Sequence, residues 1–216
     1  VSYHRTQERL ITPPAVEPIS ITEAQQHLRL EGQFDADYVM SLITIARHTL
    51  EKWCWSAFVM QTWQYWFDRF WWEMFIPRGP MRVGWNAAGA NDPMRPQEGT
   101  NCGGIVWVKY LSPGAANNPA ALITLPTSVY ETSAQNELPF LRQAFLQTYP
   151  VTRGYRDDVT LQVVLGYGPN PQDVPLPLRQ AMKLLLSHLY YNRGEVPAAV
   201  PPAIDHLITP YRLREF

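Results

Sequence analysis

The sequence predicts an α+β fold, mainly helical: a bundle of about three main helices with a small antiparallel β-region inserted ahead of the last. Three observations carry that expectation. Val174–Gly194 (VPLPLRQAMKLLLSHLYYNRG) is apolar around most of a helical circumference. Phe58–Phe70 (FVMQTWQYWFDRF) is aromatic and β-branched with neither glycine nor proline, as a strand should be. The order of patterns along the chain is helix, strand-like runs, helix.

Length and composition narrow the class. A chain of 216 residues suffices for one good-sized domain with appendages. Charged residues at 17 %, with 20 prolines and 8 tryptophans, describe a folded protein with proline-stiffened connections, not a disordered one. Lys+Arg 18 against Asp+Glu 19 leaves a formal charge of -1, which excludes an overall basic field for nucleic acid. Two cysteines, Cys54 and Cys102, argue against a disulfide framework and suit a reducing cytoplasm. No apolar run approaches the roughly 20 residues of a membrane span, and no basic-then-apolar signal segment begins the sequence. The expectation is a soluble protein made in the cytoplasm, with no membrane partner.

Residues 1–16 are polar, end in Pro13-Pro14 and lack a period, so they read as a flexible N-terminal arm, extended or disordered alone and able to order on a partner. Ser20-Ile21-Thr22-Glu23 has the capping-box form and opens a short helix to about Leu30, with Ala24, His27 and Leu28 on one side and Gly32 as its stop. Asp35 or Asp37 caps a longer helix running to about Cys54. Its buried face is Val39, Leu42, Ile43, Ala46, Leu50 and Trp53, with His48, Glu51 and Lys52 mostly on the other. After the Phe58–Phe70 strand, Pro77-Arg78-Gly79-Pro80 makes a turn. Gly84–Gly104 is a long connection without a period, the kind that is often functional. Gly104–Ser112 and Val159–Tyr167 read as strands, and Leu122–Tyr130 has room for another short one.

Val174–Gly194 is the organising helix. Pro175 and Pro177 suit its first turn. Leu178, Ala181, Met182, Leu185 and Leu189 share a face that Leu184, Leu186 and Tyr190 widen, and Asn192-Arg193-Gly194 closes it. Such a helix needs partners on several sides, from its own domain or from neighbouring copies. Leu178, Met182, Leu185, Leu189 and Tyr190 are therefore candidate core or subunit-interface residues. Beyond Gly194 the chain is proline-rich, with a turn of helix at Ala203–Ile208 and a closing Pro210-Tyr211-Arg212-Leu213-Arg214-Glu215-Phe216. The expected organisation is an arm at 1–16, one domain at 17–200 with the β-region at about 58–167, and a tail at 201–216.

The chain carries no recognisable catalytic apparatus. None of His4, His27, His48, His188 and His206 stands at ligand spacing from another, and neither cysteine has a zinc pattern around it. There is no nucleophile elbow, P-loop or dinucleotide fingerprint. Gly166-Tyr167-Gly168 leads into Pro-Asn-Pro and not a helix N-terminus, which speaks against a phosphate cradle. Asp157-Asp158 reads as a solvated pair at the start of a strand. We expect no enzyme, no catalytic residue, no metal and no cofactor. Trp53, Trp55, Trp63, Trp66, Trp71 and Trp72 crowd one third of the chain. Stacking on single-stranded nucleic acid would need basic residues among them; the interleaved Glu51, Lys52, Asp68, Arg69 and Glu73 nearly cancel, which favours an aromatic core and interface. Basic residues do gather at Arg179, Lys183, Arg193, Arg212 and Arg214, and a tail of that kind fits docking into another protein at least as well as phosphate contact.

The ordered motifs resemble those of the head–tail connector (adaptor) proteins of long-tailed bacteriophages and related gene-transfer particles. The resemblance runs from about Glu17 to the C-terminus. It rests on Glu17-Pro18-Ile19-Ser20-Ile21-Thr22-Glu23-Ala24, His27-Leu28-Arg29, Gln61-Thr62-Trp63 with Asp68-Arg69-Phe70, and Pro77-Arg78-Gly79-Pro80-Met81. It continues in Gly166-Tyr167-Gly168, Val174-Pro175 with Leu178-Arg179-Gln180-Ala181, His188-Leu189-Tyr190-Tyr191-Asn192-Arg193, and Leu207-Ile208-Thr209-Pro210-Tyr211-Arg212. Gly84–Gly104 and Ser133–Arg156 depart from the pattern. The resemblance implies a structural protein of the virion neck, assembled in the host cytoplasm. It would form a ring of 12 copies below the portal protein, continue the DNA channel with only non-specific proximity to duplex, and receive a head-completion (stopper) or tail protein. It also implies portal docking by Pro210, Tyr211, Arg212 and Leu213. A ring interface buries apolar surface on two sides of each subunit, which suits the organising helix and the surplus tryptophan. The alternative is a DNA-packaging or DNA-binding accessory factor, to which the basic C-terminal residues point.

Overall fold

The computed structural model describes residues 7–30, 35–81, 104–115, 121–133, 139–193, 197 and 199–213. The chain divides into two units, one of Val1–Pro13 with Gln61–Leu165 and the other of Pro14–Met60 with Gly166–Phe216.

The first unit is built from strands. They are β1 (Gln7–Thr12), β2 (Gln61–Phe67), β3 (Glu73–Phe75), β4 (Ile105–Tyr110), β5 (Ile123–Thr124), β6 (Tyr130–Ser133), β7 (Phe140–Gln143) and β8 (Val159–Leu165). An antiparallel five-stranded sheet has the order β1-β2-β8-β4-β5, and a three-stranded one the order β3-β7-β6. β8 is central because its sequence, VTLQVVL, is almost continuously apolar: Val159, Leu161, Val163 and Leu165 are fully buried and Thr160 nearly so. It pairs with β2 from Gln61↔Leu165 to Phe67↔Val159. β1 is a polar edge strand, exposed along most of its length. Glu8 Oε1 fastens it to Arg78 Nη2 at 3.0 Å, and the Arg78 guanidinium lies 4.3 Å above the Trp63 ring. The Pro-Arg-Gly-Pro turn and the Gln-Thr-Trp strand thus meet on the N-terminal segment.

The second unit holds the helices: α1 (Ile21–Leu28), α2 (Ala36–Cys54), α3 (Leu176–Tyr191) and α4 (Pro202–Ile208). Leu178, Ala181, Met182, Leu185, Leu186 and Leu189 of α3 are all 0 % exposed. They sit in one core with Ile19, Ala24 and Leu28, with Val39, Leu42, Ala46 and Leu50 of α2, and with Ile204 and Ile208 of α4. The wide apolar face of α3 is therefore covered by its own unit. The capping box of α1 forms as its sequence dictates: Ser20 Oγ accepts the Glu23 N–H at 3.1 Å and Glu23 Oε2 accepts the Ser20 N–H at 2.9 Å.

Several expectations need correction. The chain is α+β with substantial sheet, not a mainly helical bundle with a small inserted β-region: among the described residues eight strands stand beside four helices. The missed strands lacked a readable period. β1 (QERLIT) is polar, and β3, β6 and β7 have only three or four residues. α1 ends at Leu28 with Arg29 left-handed at φ 55°, ahead of Gly32, which lies outside the described residues. Asp35 stands at the N-cap of α2 but makes no capping bond; its carboxylate instead accepts the Tyr190 hydroxyl at 2.6 Å. Glu51, expected on the outer face of α2, is 3 % exposed, and Asp158, expected in solvent, is 0 % exposed. Arg153 Nη2 lies 2.9 Å from the Asp158 carboxylate, which also accepts the Tyr155 N–H, so its burial is matched by a charge and hydrogen bonds.

Candidate functional site

The candidate docking segment is the C-terminal part of the second unit. Pro201 and Pro202 set the start of α4, and Ile204 and Ile208 anchor it in the core at 2 % and 0 % exposure. Thr209–Tyr211 forms a single 3-10 turn that leaves Thr209 and Pro210 in solvent. Tyr211 packs half-buried against the helical core. Arg212 Nη2 returns to Asp205 Oδ1 at 2.8 Å, and the Leu213 N–H donates to the Cys54 carbonyl at 3.0 Å. That last bond satisfies one of the carbonyls left open at the C-terminal end of α2. The segment is thus held in place on its own unit while its turn faces outward. Burial pushes the Cys54 thiol up to about 12 against the opposing pull of Arg212, which makes it an inert core group.

Two ionic clusters set the helices that carry this segment. In the first, Arg47 Nε lies 2.8 Å from Glu17 Oε2 and Arg47 Nη1 lies 2.9 Å from Glu51 Oε2. Glu51 Oε1 accepts the Phe58 N–H at 2.8 Å. Burial pulls the Arg47 pKa down, yet Glu51 and Glu17 outweigh it and the net value is raised. In the second, Arg179 of α3 donates from Nη2 to Glu23 Oε1 at 2.7 Å and from Nε to the Pro18 carbonyl at 3.0 Å. Lys183 Nζ stands 3.7 Å from the same Glu23 oxygen. The Glu-Pro-Ile-Ser-Ile-Thr-Glu segment is therefore a staple. Glu17 grips α2, Pro18 and Glu23 grip α3, Ile19 fills the core and Ser20 caps α1.

The Ser20 backbone N–H, then Arg179 and Lys183, hold the Glu23 carboxyl below the usual carboxylate range against a partial desolvation cost. A group whose folded-state pKa is depressed stabilises fully above its unfolded value, and that contribution is lost as pH falls through the folded value. Glu23→Gln is expected to cost about 1 kcal/mol at neutral pH and to shrink the loss of stability between about pH 5 and pH 3. Urea titrations of both proteins at the two ends of that range check it; equal pH dependence contradicts it.

Pro210 is thus exposed on the turn and Tyr211, Arg212 and Leu213 follow it half-buried, whereas Leu178, Met182, Leu185 and Leu189 lie in the core. Tyr190 packs at its edge. Sequence reasoning missed Glu17, Arg47 and Glu51 as a set; their signal was two carboxylates and one arginine within reach of an otherwise apolar helix face. Of the basic group, Arg179 and Lys183 share Glu23 and Arg212 holds Asp205. Arg193 is exposed. Arg214 and Phe216 lie outside the described residues, as do His4, Cys102 and all of Gly84–Gly104 but its last residue. Among the described residues no group of three His, Cys, Asp or Glu side chains is placed to hold a metal ion, and no helix is long and apolar enough to cross a membrane.

No family model matches the chain, and no curated protein matches it. Solved structures do. The chain is similar to one from the neck of an empty gene transfer agent particle computed with C6 symmetry, at TM-score 0.72 and 16% identity, over 97% of each chain. It is also similar to one from the virion of a native gene transfer agent particle, at TM-score 0.69 and 16% identity, over 99% of this chain and 97% of that one. A third, from the neck of a native particle computed with C12 symmetry, gives TM-score 0.66 and 16% identity at the same coverage. At this identity the likeness is one of fold, and it extends over nearly the whole chain.

Proposed function

We propose that this protein is a structural component of a particle neck, an adaptor that forms a ring below the portal, continues the DNA channel and offers a platform to the head-completion or tail protein. The observation that carries the reading is the fold likeness to a neck protein over 97% of both chains. The motif order from Glu17 onward supports it independently. In this reading Pro210, Tyr211, Arg212 and Leu213 dock to the portal, and the exposed Pro210 followed by three half-buried residues braced on α4 and the end of α2 suits that role. A DNA-binding accessory factor has less support, since Arg179, Lys183 and Arg212 already face carboxylates.

Deletion of Pro210–Phe216 tests the docking role. The truncated protein is expected to keep its helical circular dichroism while producing cells accumulate heads that carry no tails. Head–tail joining at normal yield would show that the segment does not dock.

A further inference from the structure

The connection after β7 departs from the polar composition of ordinary loop tips. Ala144–Gln147 closes a turn in which the Gln147 N–H reaches the Ala144 carbonyl at 3.1 Å. Its two central residues are Phe145 and Leu146, 85% and 86% exposed. Leu146 sits at φ 58°, a left-handed conformation that is unfavourable for a leucine and that glycine or asparagine adopts more readily. The turn is fixed at its base, since the Ala144 N–H donates to the Val129 carbonyl at 2.9 Å. Val151 and Tyr155 follow at 75% and 69% exposure. Tyr155 also lines a cleft of about 500 Å³ together with Asp68, Arg69, Trp71 and Arg156. Arg69 lies 4.2 Å over the Trp71 ring. Neither Arg69 nor Arg156 has a carboxylate partner among the described residues. Strain and exposed apolar area on one fixed tip mark an interaction surface.

A second surface, on the helical unit, has complementary chemistry. The outward side of the first half of α2 shows Tyr38, Met40 and Ile45 at 39%, 53% and 38% exposure. Asp37 is exposed among them and forms no ion pair among the described residues. Tyr190, 6.1 Å from Tyr38 between ring centres, extends the aromatic area to the exposed Tyr191.

We propose that these two surfaces bind each other between neighbouring copies of this chain, the 145–156 segment of one subunit seating on the first half of α2 of the next. The inference rests on the ring reading above and names its interface. A head-to-tail contact that closes into a ring needs two different, mutually complementary patches on one chain. Here one is apolar with the guanidinium groups of Arg69 and Arg156 and the other apolar with the Asp37 carboxylate, none of them in an ion pair among the described residues. Duplex DNA is a poor occupant for the first patch, because its phosphates would meet Asp68 in the cleft beside Arg69 and Arg156 and its apolar base faces open to Phe145 and Leu146 only by costly unstacking.

Single-cysteine variants test the contact. Phe145→Cys and Met40→Cys are introduced separately into a Cys102→Ser background, where Cys54 is buried and unreactive. Equal amounts are mixed, assembled and treated with a short bis-maleimide. The same linkage is read on particles and on the concentrated purified chain. The expected product is a covalent dimer containing one of each variant, several-fold above the self-linked dimers of either variant alone. A chain carrying both cysteines should give a ladder of multimers. No mixed dimer in either setting overturns the interface, and so does self-linkage of one variant at the same yield. Mixed dimers from the concentrated chain together with absence from particles would uphold the interface and count against the neck reading.

Discussion

Arg47→Ala is expected to destabilise the helical unit by about 3–5 kcal/mol, the range for breaking a buried pair by removing one partner. The side chains of Arg47 and Glu51 are each only 4% exposed, so without the guanidinium the Glu51 carboxylate would remain buried without its cation, although it still accepts the Phe58 N–H. Glu17 would lose its ionic hold on α2, leaving the Thr44 hydroxyl at 3.0 Å as its hydrogen-bond donor among the described residues. Arg47→Met separates charge from volume. It fills most of the space but still removes the positive charge beside the buried carboxylate, so it should recover little of the loss. Glu17→Gln, at the partly exposed end of the cluster, should cost far less. Chemical denaturation followed by far-ultraviolet circular dichroism checks all three; a loss below about 1 kcal/mol for Arg47→Ala would contradict the assigned role.

Gly166→Ala should be comparably damaging, about 3–5 kcal/mol from backbone strain and overpacking together. Gly166 has φ 133°, which a residue with a side chain rarely adopts. An added Cβ would also stand 2.7 Å from the Met60 nitrogen and 2.7 Å from the Val59 carbonyl carbon, main-chain atoms that cannot swing away. They are held there because the Tyr167 N–H bonds the Phe58 carbonyl and the Met60 N–H bonds the Gly168 carbonyl, both at 3.0 Å. The Gly-Tyr-Gly motif is thus a site of close backbone approach. Gly114→Ala is the control: it too has positive φ but nothing within 4 Å of the added atom, so its loss should be smaller. Equal melting temperatures for Gly166→Ala and the parent protein would refute this account.

The helices were legible because periodicity over many residues is a strong signal. α2 was expected to end at about Cys54 and does, and the proline-led start of α3 and its apolar face follow from its sequence. The side chains that break a pattern were not legible. Glu51 falls on a polar stripe by spacing, and only Arg47 one turn earlier and the Phe58 N–H explain its burial. Asp158 likewise needs Arg153, five residues upstream, to be buried. β1 was hidden because an edge strand with both faces wet has no alternation to read. The motif at Glu17–Ala24 was visible as a family pattern, but its physical meaning needed Arg47 and Arg179, about 30 and 160 residues away. The candidate docking residues were adjacent in sequence and so came together trivially. That Asp205 and the Cys54 carbonyl hold them in place was beyond sequence reasoning.

The central claim is most directly tested by counting this protein against the portal protein in purified particles by quantitative mass spectrometry. The account predicts a ratio near one, about a dozen copies in one closed ring. Absence from mature particles, or many dozens of copies, would contradict it.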